Sequence, residues 1–431
     1  MSEQSGGRPD PAERRLGWTA VVVLLAMLAA TTILSQFFRY SMSVIGPELI
    51  RDLSLSSQEL GIANASFFLA LLLAQIPVGI AFDRFGPRRT VAALSVPLTI
   101  GAMLHGLVDT GLGLALARFM VGIGCAGSFT AGVVLISRWF ARQSWSMVLS
   151  WHFALGQLGL VLAGLPLAWA TEAIGWRFSL VVMGVAAILV GYLFLVLVRD
   201  VPPGAPPGPS APADPIGAWE GLRRVITMPG LVQVLCLFMV GYAALVTVQS
   251  LWAGPYLHDV FGLDAMDRGK VLLGMAVVQT LGVLVIGPMD RLLNTRKWVA
   301  AGSASLALTA LVALAAVPMT LQSAVFFLLL LSASSAYGGV LFAQIRSLFP
   351  DHLAGRSATV SNMAPMLGAA LLPTLTGFIP PLFPSEGSGY APAAYQCIFA
   401  TLAVFLAIGL AIYLTAKDAK PRPVPQASAS T

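Results

Sequence analysis

The chain has 431 residues, of which 57% are hydrophobic and only 10% are charged, whereas about 25% of the residues in an average soluble domain are charged. The formal net charge is +6, but the basic residues lie in short segments between long apolar stretches, a pattern typical of cytoplasmic loops rather than of nucleic-acid binding. Because an apolar helix of about 20 residues crosses a bilayer core, the composition excludes a soluble enzyme and predicts an all-α polytopic membrane protein.

Twelve membrane-spanning helices are predicted, and they leave no room for a separate catalytic domain. The predicted spans are residues 17–47, 57–82, 90–108, 110–137, 144–171, 178–198, 228–257, 269–289, 298–317, 322–345, 357–379 and 393–416. If the N-terminus is cytoplasmic, 19 of the 25 basic residues lie on the cytoplasmic side, and four lie outside: Arg51, Arg177, Arg268 and Lys270. This asymmetry predicts two cytoplasmic termini in a bacterial-type inner (plasma) membrane.

A Pro/Gly-rich segment divides the spans into two groups of six, as expected for a flexible connector. We predict a cytoplasmic tail, an N-terminal six-helix bundle, a cytoplasmic linker, a C-terminal six-helix bundle and a second tail, at residues 1–16, 17–198, 199–227, 228–416 and 417–431. The halves share features at an offset of 208 residues, such as Gly46 and Gly254, or Arg138 and Arg346. Parallel repeats of this kind place a solute site near the bilayer midplane, between the halves.

The loop between the second and third spans carries a recognisable motif. Its sequence, Gly79-Ile-Ala-Phe-Asp83-Arg84-Phe-Gly86-Pro-Arg88-Arg89, resembles the loop signature of the major facilitator superfamily, and the resemblance extends over residues 17–416. It implies that superfamily's fold, two six-helix bundles related by a parallel pseudo-repeat. It also implies a conformational latch that helps to hold the outward-facing state, with a degenerate second copy. The latch candidates are Gly79, Asp83, Arg84, Gly86, Arg88, Arg89, Asp290 and Arg291. Alternatively, these arginines only determine topology.

Ionisable residues inside spans are costly and usually functional. Arg39, Arg118 and His152 lie within the first, fourth and fifth spans, whereas no Asp or Glu lies deep in any predicted span. A cation site would need a buried carboxylate to offset desolvation. Two arginines near mid-depth without acidic neighbours therefore predict an anionic solute.

Polar residues also share helix faces. Thr32, Gln36, Arg39 and Ser43 fall within a narrow arc at 100° per residue, which would not remain in contact with lipid. Tyr242, Gln249 and Trp252 share a face of the seventh span. The predicted solute-binding residues are Gln36, Arg39, Tyr40, Ser43, Arg118, His152, Tyr242, Gln249 and Trp252. Structural roles remain the alternative for several of them: Arg118 bonded to backbone carbonyls, His152 to a neighbouring helix, and the aromatic side chains in packing.

The first span carries a second resemblance. Phe38-Arg39-Tyr40, followed by Pro47-Glu48-Leu49 and Asp52-Leu53, resembles the first helix of organic-anion and organophosphate carriers, in which an arginine at this place contacts the anion. It implies a secondary active or facilitative transporter of a small carboxylate or phosphate ester that works by alternating access. The fifth span lacks the signature of drug/proton antiporters and the N-x-G-G pattern of nitrate carriers, which disfavours both roles.

Two other functions stay open from the residues. One is a carrier of a zwitterionic solute such as an amino acid or dipeptide; the other is a transport-inactive membrane sensor. An enzyme is disfavoured, because no Ser/His/Asp, metal or paired-carboxylate constellation is visible, and no cofactor or metal is expected. The G-x-x-x-x-G-K-[ST] motif for nucleotide phosphates is also missing from the sequence. We expect a monomer in the lipid bilayer, with a proton or a counter-anion as possible coupling partner.

Overall fold

A computed structural model describes residues 11–140, 144–202, 228, 230–316, 318–349, 354–384 and 389–421. Within these ranges the regular structure is helical, without strands. Eleven of the described helices are long and apolar enough to cross a membrane. One of them, Ser57–His105, contains both the second and the third predicted spans, so the prediction of an all-α, twelve-span fold is confirmed. The predicted tails and linker lie largely outside the described residues, and the domain boundaries stay predictions.

Several spans are built from more than one helix. The first six spans are Pro11–Leu53, Ser57–His105 (second and third), Gly111–Cys125 with Ser128–Trp139, Trp145–Gly156 with Leu158–Leu162 and Leu165–Ile174, and Trp176–Leu197. The seventh span begins with Leu231–Thr247, continues through a π-helical stretch, Val248–Trp252, and ends with Ala253–Phe261. The remaining five spans are Ala265–Leu292, Lys297–Ala316, Leu321–Ser334 with Gly338–Leu348, Ala354–Gly377, and Pro392–Leu414. A short 3₁₀ helix, Pro380–Leu382, follows the eleventh span.

Helix caps mark one surface of the bundle, the end we call outer after the predicted orientation. Ser56, Thr110, Asp264 and Thr320 each accept a hydrogen bond from a backbone N–H in the first turn of the second, fourth, eighth and tenth spans. Such side chains satisfy N–H groups that have no partner within the helix. Ser56 and Asp264 are 208 residues apart, so the cap is repeated in the two halves.

The two halves touch closely at the outer end, and glycines make this possible. A Cβ atom on Gly61 would lie 2.6 Å from the carbonyl oxygen of Pro373 in the other half, and one on Gly269 would lie 2.9 Å from Cβ of Ala168. Ser57 Oγ donates a hydrogen bond of 2.8 Å to the Gly377 carbonyl across the same contact. Small residues allow helix backbones in lipid to approach in this way. We call this contact the outer seal.

The opposite, inner end is organised differently. There the described helices Ser128–Trp139 and Trp145–Gly156 pack mainly against helices of the first half, and Gly338–Leu348 packs mainly against helices of the second half. The halves are therefore in close contact at the outer end, whereas these inner-end helices pack mainly within their own halves.

A carboxylate ties the last span of each half to the start of its third helix. Asp200 accepts the backbone N–H of Arg88 at 2.8 Å. Asp418 accepts those of Arg296 and Lys297 at 3.2 and 3.0 Å. Although partial burial alone would raise the pKa of Asp418, hydrogen bonds from Thr295 and these N–H groups bring that pKa below its usual value. Negative charge at a helix N-terminus is stabilising, so each half is clamped at its inner surface.

Glycine is required at position 86, between the second and third spans. Its φ of 79° and ψ of 159° lie in a region essentially restricted to glycine, and a Cβ atom there would meet the Asp200 carboxylate. We predict that Gly86→Ala lowers the free energy of unfolding by about 1–3 kcal/mol, measured by thermal unfolding in detergent. Gly79→Ala, where a Cβ would have no neighbour within 4 Å, is the control and should unfold at the wild-type temperature or above.

Candidate functional site

The polar face of the first span lies inside the protein and begins against the fifth span. Thr32 Oγ1 lies 3.2 Å from His152 Nε2. One turn further, Gln36 Nε2 donates to Gln157 Oε1 at 2.9 Å. His152 is thus bonded to a neighbouring helix of its own half, which agrees with the structural role given above as its alternative. The Nδ1 atom of His152 is buried without a partner among the described residues.

Further along the same face, the first span reaches the seventh span in the other half. Arg39 Nη1 donates to the Tyr242 hydroxyl at 2.7 Å, and the backbone N–H of Gly254 donates to Ser43 Oγ at 3.0 Å. The Arg39 guanidinium lies 6.0 Å from the centre of the Phe68 ring, and its Nε is buried without a hydrogen-bond partner. The geometry therefore brings Arg39 and Tyr242 together at the interface between the halves, and Ser43 meets the other half one turn further along its helix.

Arg118 is wholly buried and is held by other groups of the protein. Its Nη1 donates to the Phe38 carbonyl at 2.5 Å and its Nη2 to Asn64 Oδ1 at 3.2 Å. Asn64 in turn donates to Ser250 Oγ in the seventh span at 3.0 Å. This network favours a structural role for Arg118, which binds the backbone of the residue preceding Arg39. The Nε atom of Arg118 has no hydrogen-bond partner among the described residues.

The charges of Arg39 and Arg118 have no acidic partner in the described part of the chain, where neither forms an ion pair with Asp or Glu. An unmatched positive charge inside a membrane span is costly.

The seventh span contributes residues of two kinds. Gln249 donates to Ser332 Oγ at 3.2 Å, and its Oε1 is buried without a partner. Together with Tyr40 it lines a cavity between the halves. Trp252, in contrast, is fully buried, and its Nε1 donates to Thr376 Oγ1 at 2.8 Å. These contacts favour a packing role for Trp252 within the second half over a role in binding the solute.

The structure adds polar residues that the sequence analysis did not select. Gln157, Asn64 and Ser250 all lie inside spans and all bond to members of the predicted site or to Arg118. Amide side chains such as those of Gln157 and Asn64 are rare in apolar helices, and each one inside a span indicates a hydrogen-bond partner on another helix. Periodicity along a single helix cannot reveal that partner.

The latch candidates of the first copy form no ion pair with one another in the described part of the chain. Asp83, Arg84 and Arg89 are exposed. The Arg88 side chain donates through Nε to the Leu195 carbonyl, and its backbone N–H donates to Asp200.

In the second copy, Asp290 pairs with Arg296 at 3.3 Å, whereas Arg291 is exposed. Within the second copy, Asp290 is therefore paired with Arg296 and not with the adjacent Arg291. The latch function itself stays a prediction.

Arg268 is buried in the structure, although the count of basic residues on each side of the membrane treated it as a loop residue. Arg268, placed there among the outer loop residues, is only 1% exposed and forms an ion pair with Glu48 at 2.5 Å. The eighth span begins at Ala265, so Arg268 belongs to its first turn and faces the first span. The outer count of four basic residues therefore includes one that joins the two halves.

Known proteins resemble this chain over most of its length. A probable L-galactonate transporter of Escherichia coli (strain K12) is 26% identical over 397 residues, covering 85% of this chain and 83% of that protein. The probable galactarate/D-glucarate transporter GarP of the same strain is 27% identical over 194 residues, and the match spans only 44% of each protein. A probable nitrate/nitrite transporter, NarK2 of Mycobacterium tuberculosis (strain ATCC 25618 / H37Rv), is 25% identical over 374 residues, covering 85% of this chain and 89% of that protein.

Solved structures show the same fold. A bacterial homolog of the human lysosomal transporter Spinster, in an inward-facing and unoccupied conformation, superposes with a TM-score of 0.73 at 19% identity, covering 90% of this chain and 95% of that chain. A D-xylose-proton symporter gives a TM-score of 0.69 at 15% identity, covering 90% of this chain and 97% of that one. The family model described as Major Facilitator Superfamily matches residues 28–373. With its helices and its structural neighbours in agreement, the chain belongs to the Major Facilitator Superfamily.

Proposed function

We propose that this protein carries a small organic anion across the membrane by alternating access, and that Arg39 binds the anionic group. The observation that supports the proposal is the state of Arg39. It lies at the interface between the halves, has a buried Nε without a partner, and has no acidic neighbour among the described residues. A carboxylate or phosphate group would supply both the missing hydrogen bond and the missing negative charge.

The chemistry of the guanidinium group favours such a ligand. Its planar fork presents N–H groups that match the oxygen atoms of a carboxylate, often through two parallel hydrogen bonds. Tyr242 already fixes one nitrogen of Arg39 from the opposite half. A solute bound to the remaining nitrogens would contact both halves, which is a requirement for coupling its binding to their movement.

Neutral polar groups around Arg39 support a hydroxylated carboxylate as the cargo. Gln36 and Gln157 form a pair near Arg39, and the unpartnered Oε1 of Gln249 can accept a hydrogen bond from a hydroxyl group. The relatives named as galactonate and galactarate/D-glucarate transporters act on sugar acids, according to those names. We therefore infer that sugar acids are the first solutes to test, with phosphate esters as the second class.

A zwitterionic solute is the competing cargo. Its carboxylate could bind Arg39, but its ammonium group would need an acceptor with negative charge. No described acidic residue pairs with the charged groups of the central site. This favours a purely anionic solute over an amino acid or dipeptide.

The outer seal suits one state of an alternating-access cycle, in which the halves rock about the central site. We infer an inner-membrane location with both termini cytoplasmic, so that the sealed end faces away from the cytoplasm. If transport is coupled, the coupling partner is a proton or a counter-anion. A monomer contains all the residues of the proposed site.

Arg39→Ala should weaken binding of sugar acids by about 10- to 100-fold, because a hydrogen bond to a charged group is worth about 1.5–3 kcal/mol. The measurement is the ligand-induced rise in unfolding temperature of the purified protein, with galactonate, glucarate, sugar phosphates, nitrate and dipeptides as ligands. Arg51→Ala, which removes an exposed arginine from the same helix, is the matched control and should bind like the wild type.

Full affinity for the best anionic ligand in a folded Arg39→Ala protein would refute this site. Stabilisation by dipeptides alone would show that the cargo is a zwitterion and not a sugar acid. If nitrate were the only anion to bind, the cargo would instead be the one suggested by the name of the NarK2 relative.

Asp83→Asn should slow transport several-fold with little change in ligand affinity, because the latch would form only when the inner end closes. Initial rates in proteoliposomes, combined with binding measurements, separate the two effects. Asp109→Asn, a carboxylate exposed at the outer end, should leave both unchanged. A large loss of affinity with normal turnover in Asp83→Asn would contradict the latch.

A further inference from the structure

A buried ion pair connects the two halves at the outer seal. Glu48 lies near the outer end of the first span, and Arg268 lies in the first turn of the eighth span. Arg268 Nη2 lies 2.5 Å from Glu48 Oε1, and the two side chains are 1% and 17% exposed. The same nitrogen donates to the Val44 carbonyl of the first span at 3.3 Å.

Other ion pairs in the described residues differ from this one in their position. The pairs Arg51–Asp52, Arg177–Asp52 and Arg296–Asp290 each join residues of a single half. Rocking of the halves would leave those pairs intact, but it would separate Glu48 from Arg268.

Glycines of the outer seal adjoin both partners. Gly269 follows Arg268, and a Cβ atom there would lie 3.0 Å from Cα of Leu165 in the first half. Gly46 precedes Glu48 by two residues, and a Cβ atom there would lie 3.3 Å from Cγ of Pro255 in the second half. The helices must approach to backbone contact before the two charges can meet, so the ion pair and the seal form together.

The hydrogen bonding of the pair suits a contact that has to open again. Glu48 Oε2 and Arg268 Nε are buried without hydrogen-bond partners. A buried pair with incomplete hydrogen bonding recovers only part of its desolvation penalty, so it holds the closed state less firmly than a fully bonded pair would and can separate again. Removal of one partner alone has a much larger effect, because it leaves an unpaired buried charge that opening would hydrate.

We infer that Glu48 and Arg268 form the lock of the outer gate: their ion pair holds the outer end closed and separates when solute is admitted from that side. The inference rests on alternating access but not on the identity of the cargo. It also explains why an arginine is buried at the start of the eighth span, where an exposed residue would serve as well for topology.

The test measures the opening of the outer end without any solute. Spin labels are attached at Leu112 in the first half and Leu382 in the second, which are 72% and 75% exposed near the outer ends of the fourth and eleventh spans. The full-length protein, with its native cysteines replaced, is placed in lipid nanodiscs, and the distance between the labels is measured by pulsed electron resonance. Glu48→Gln and Arg268→Gln should each raise the ratio of long to short distances by about tenfold or more.

A double variant shows whether Glu48 and Arg268 act as an ion pair or affect the outer end independently. Glu48→Gln combined with Arg268→Gln leaves no unpaired charge, so it should be less open than either single variant. Asp52→Asn is the matched control, because the described partners of this neighbouring carboxylate all belong to the first half. This variant should keep the parental distances. Glu48→Asp, a milder change, should give a smaller shift and replaces Glu48→Gln if that variant fails to fold.

The inference fails if neither single variant shifts the distances, if the shifts of the single variants simply add in the double variant, or if Asp52→Asn opens the outer end as far as Glu48→Gln. Because no ligand is present, these outcomes are independent of the Arg39 binding test. Loss of sugar-acid binding in a protein that still shows the distance shifts would refute the cargo and keep the lock.

Discussion

The cost of placing a guanidinium group inside a membrane is the constraint on which this structure depends. Three arginines meet it in three ways. Arg118 is bonded to a backbone carbonyl and an amide side chain, and Arg268 is paired with a carboxylate from the other half. Arg39 has a tyrosine hydroxyl for one nitrogen and no charged partner among the described residues. The second of these arginines joins the halves, and we propose that the first is structural and that the third binds a negatively charged ligand.

Hydropathy was sufficient to predict the fold, because each span must bury about 20 apolar residues whatever its neighbours are. The polar face of the first span was also predictable, since its residues recur at the period of one helix. The sequence does not show which helix meets each residue of that face. Gln36 meets the fifth span of its own half, whereas Arg39 meets the seventh span of the other half, and this division depends on packing between distant parts of the chain.

The same limit applies to two residues whose surroundings the sequence does not reveal. Arg268 lies near a span end, where a count of charges treats it as a loop residue, and only the close approach of the first and eighth spans buries it. Trp252 shares a face with Tyr242 and Gln249 at 100° per residue, but it lies in a π-helical stretch, Val248–Trp252, to which that period does not apply. Its indole bonds within the second half. Wide turns of this type are frequent at functional sites, although periodicity at 100° per residue cannot detect them.

The carboxylate clamp at the inner surface has a practical consequence for the end of the chain. Asp418 lies only four residues beyond Leu414, the last residue of the twelfth span, yet it binds the first turn of the ninth span. A truncation made directly after the final helix would remove the clamp and leave two backbone N–H groups without their acceptor. An affinity tag or a fluorescent fusion should therefore be attached beyond residue 421, so that the second half keeps its own closure.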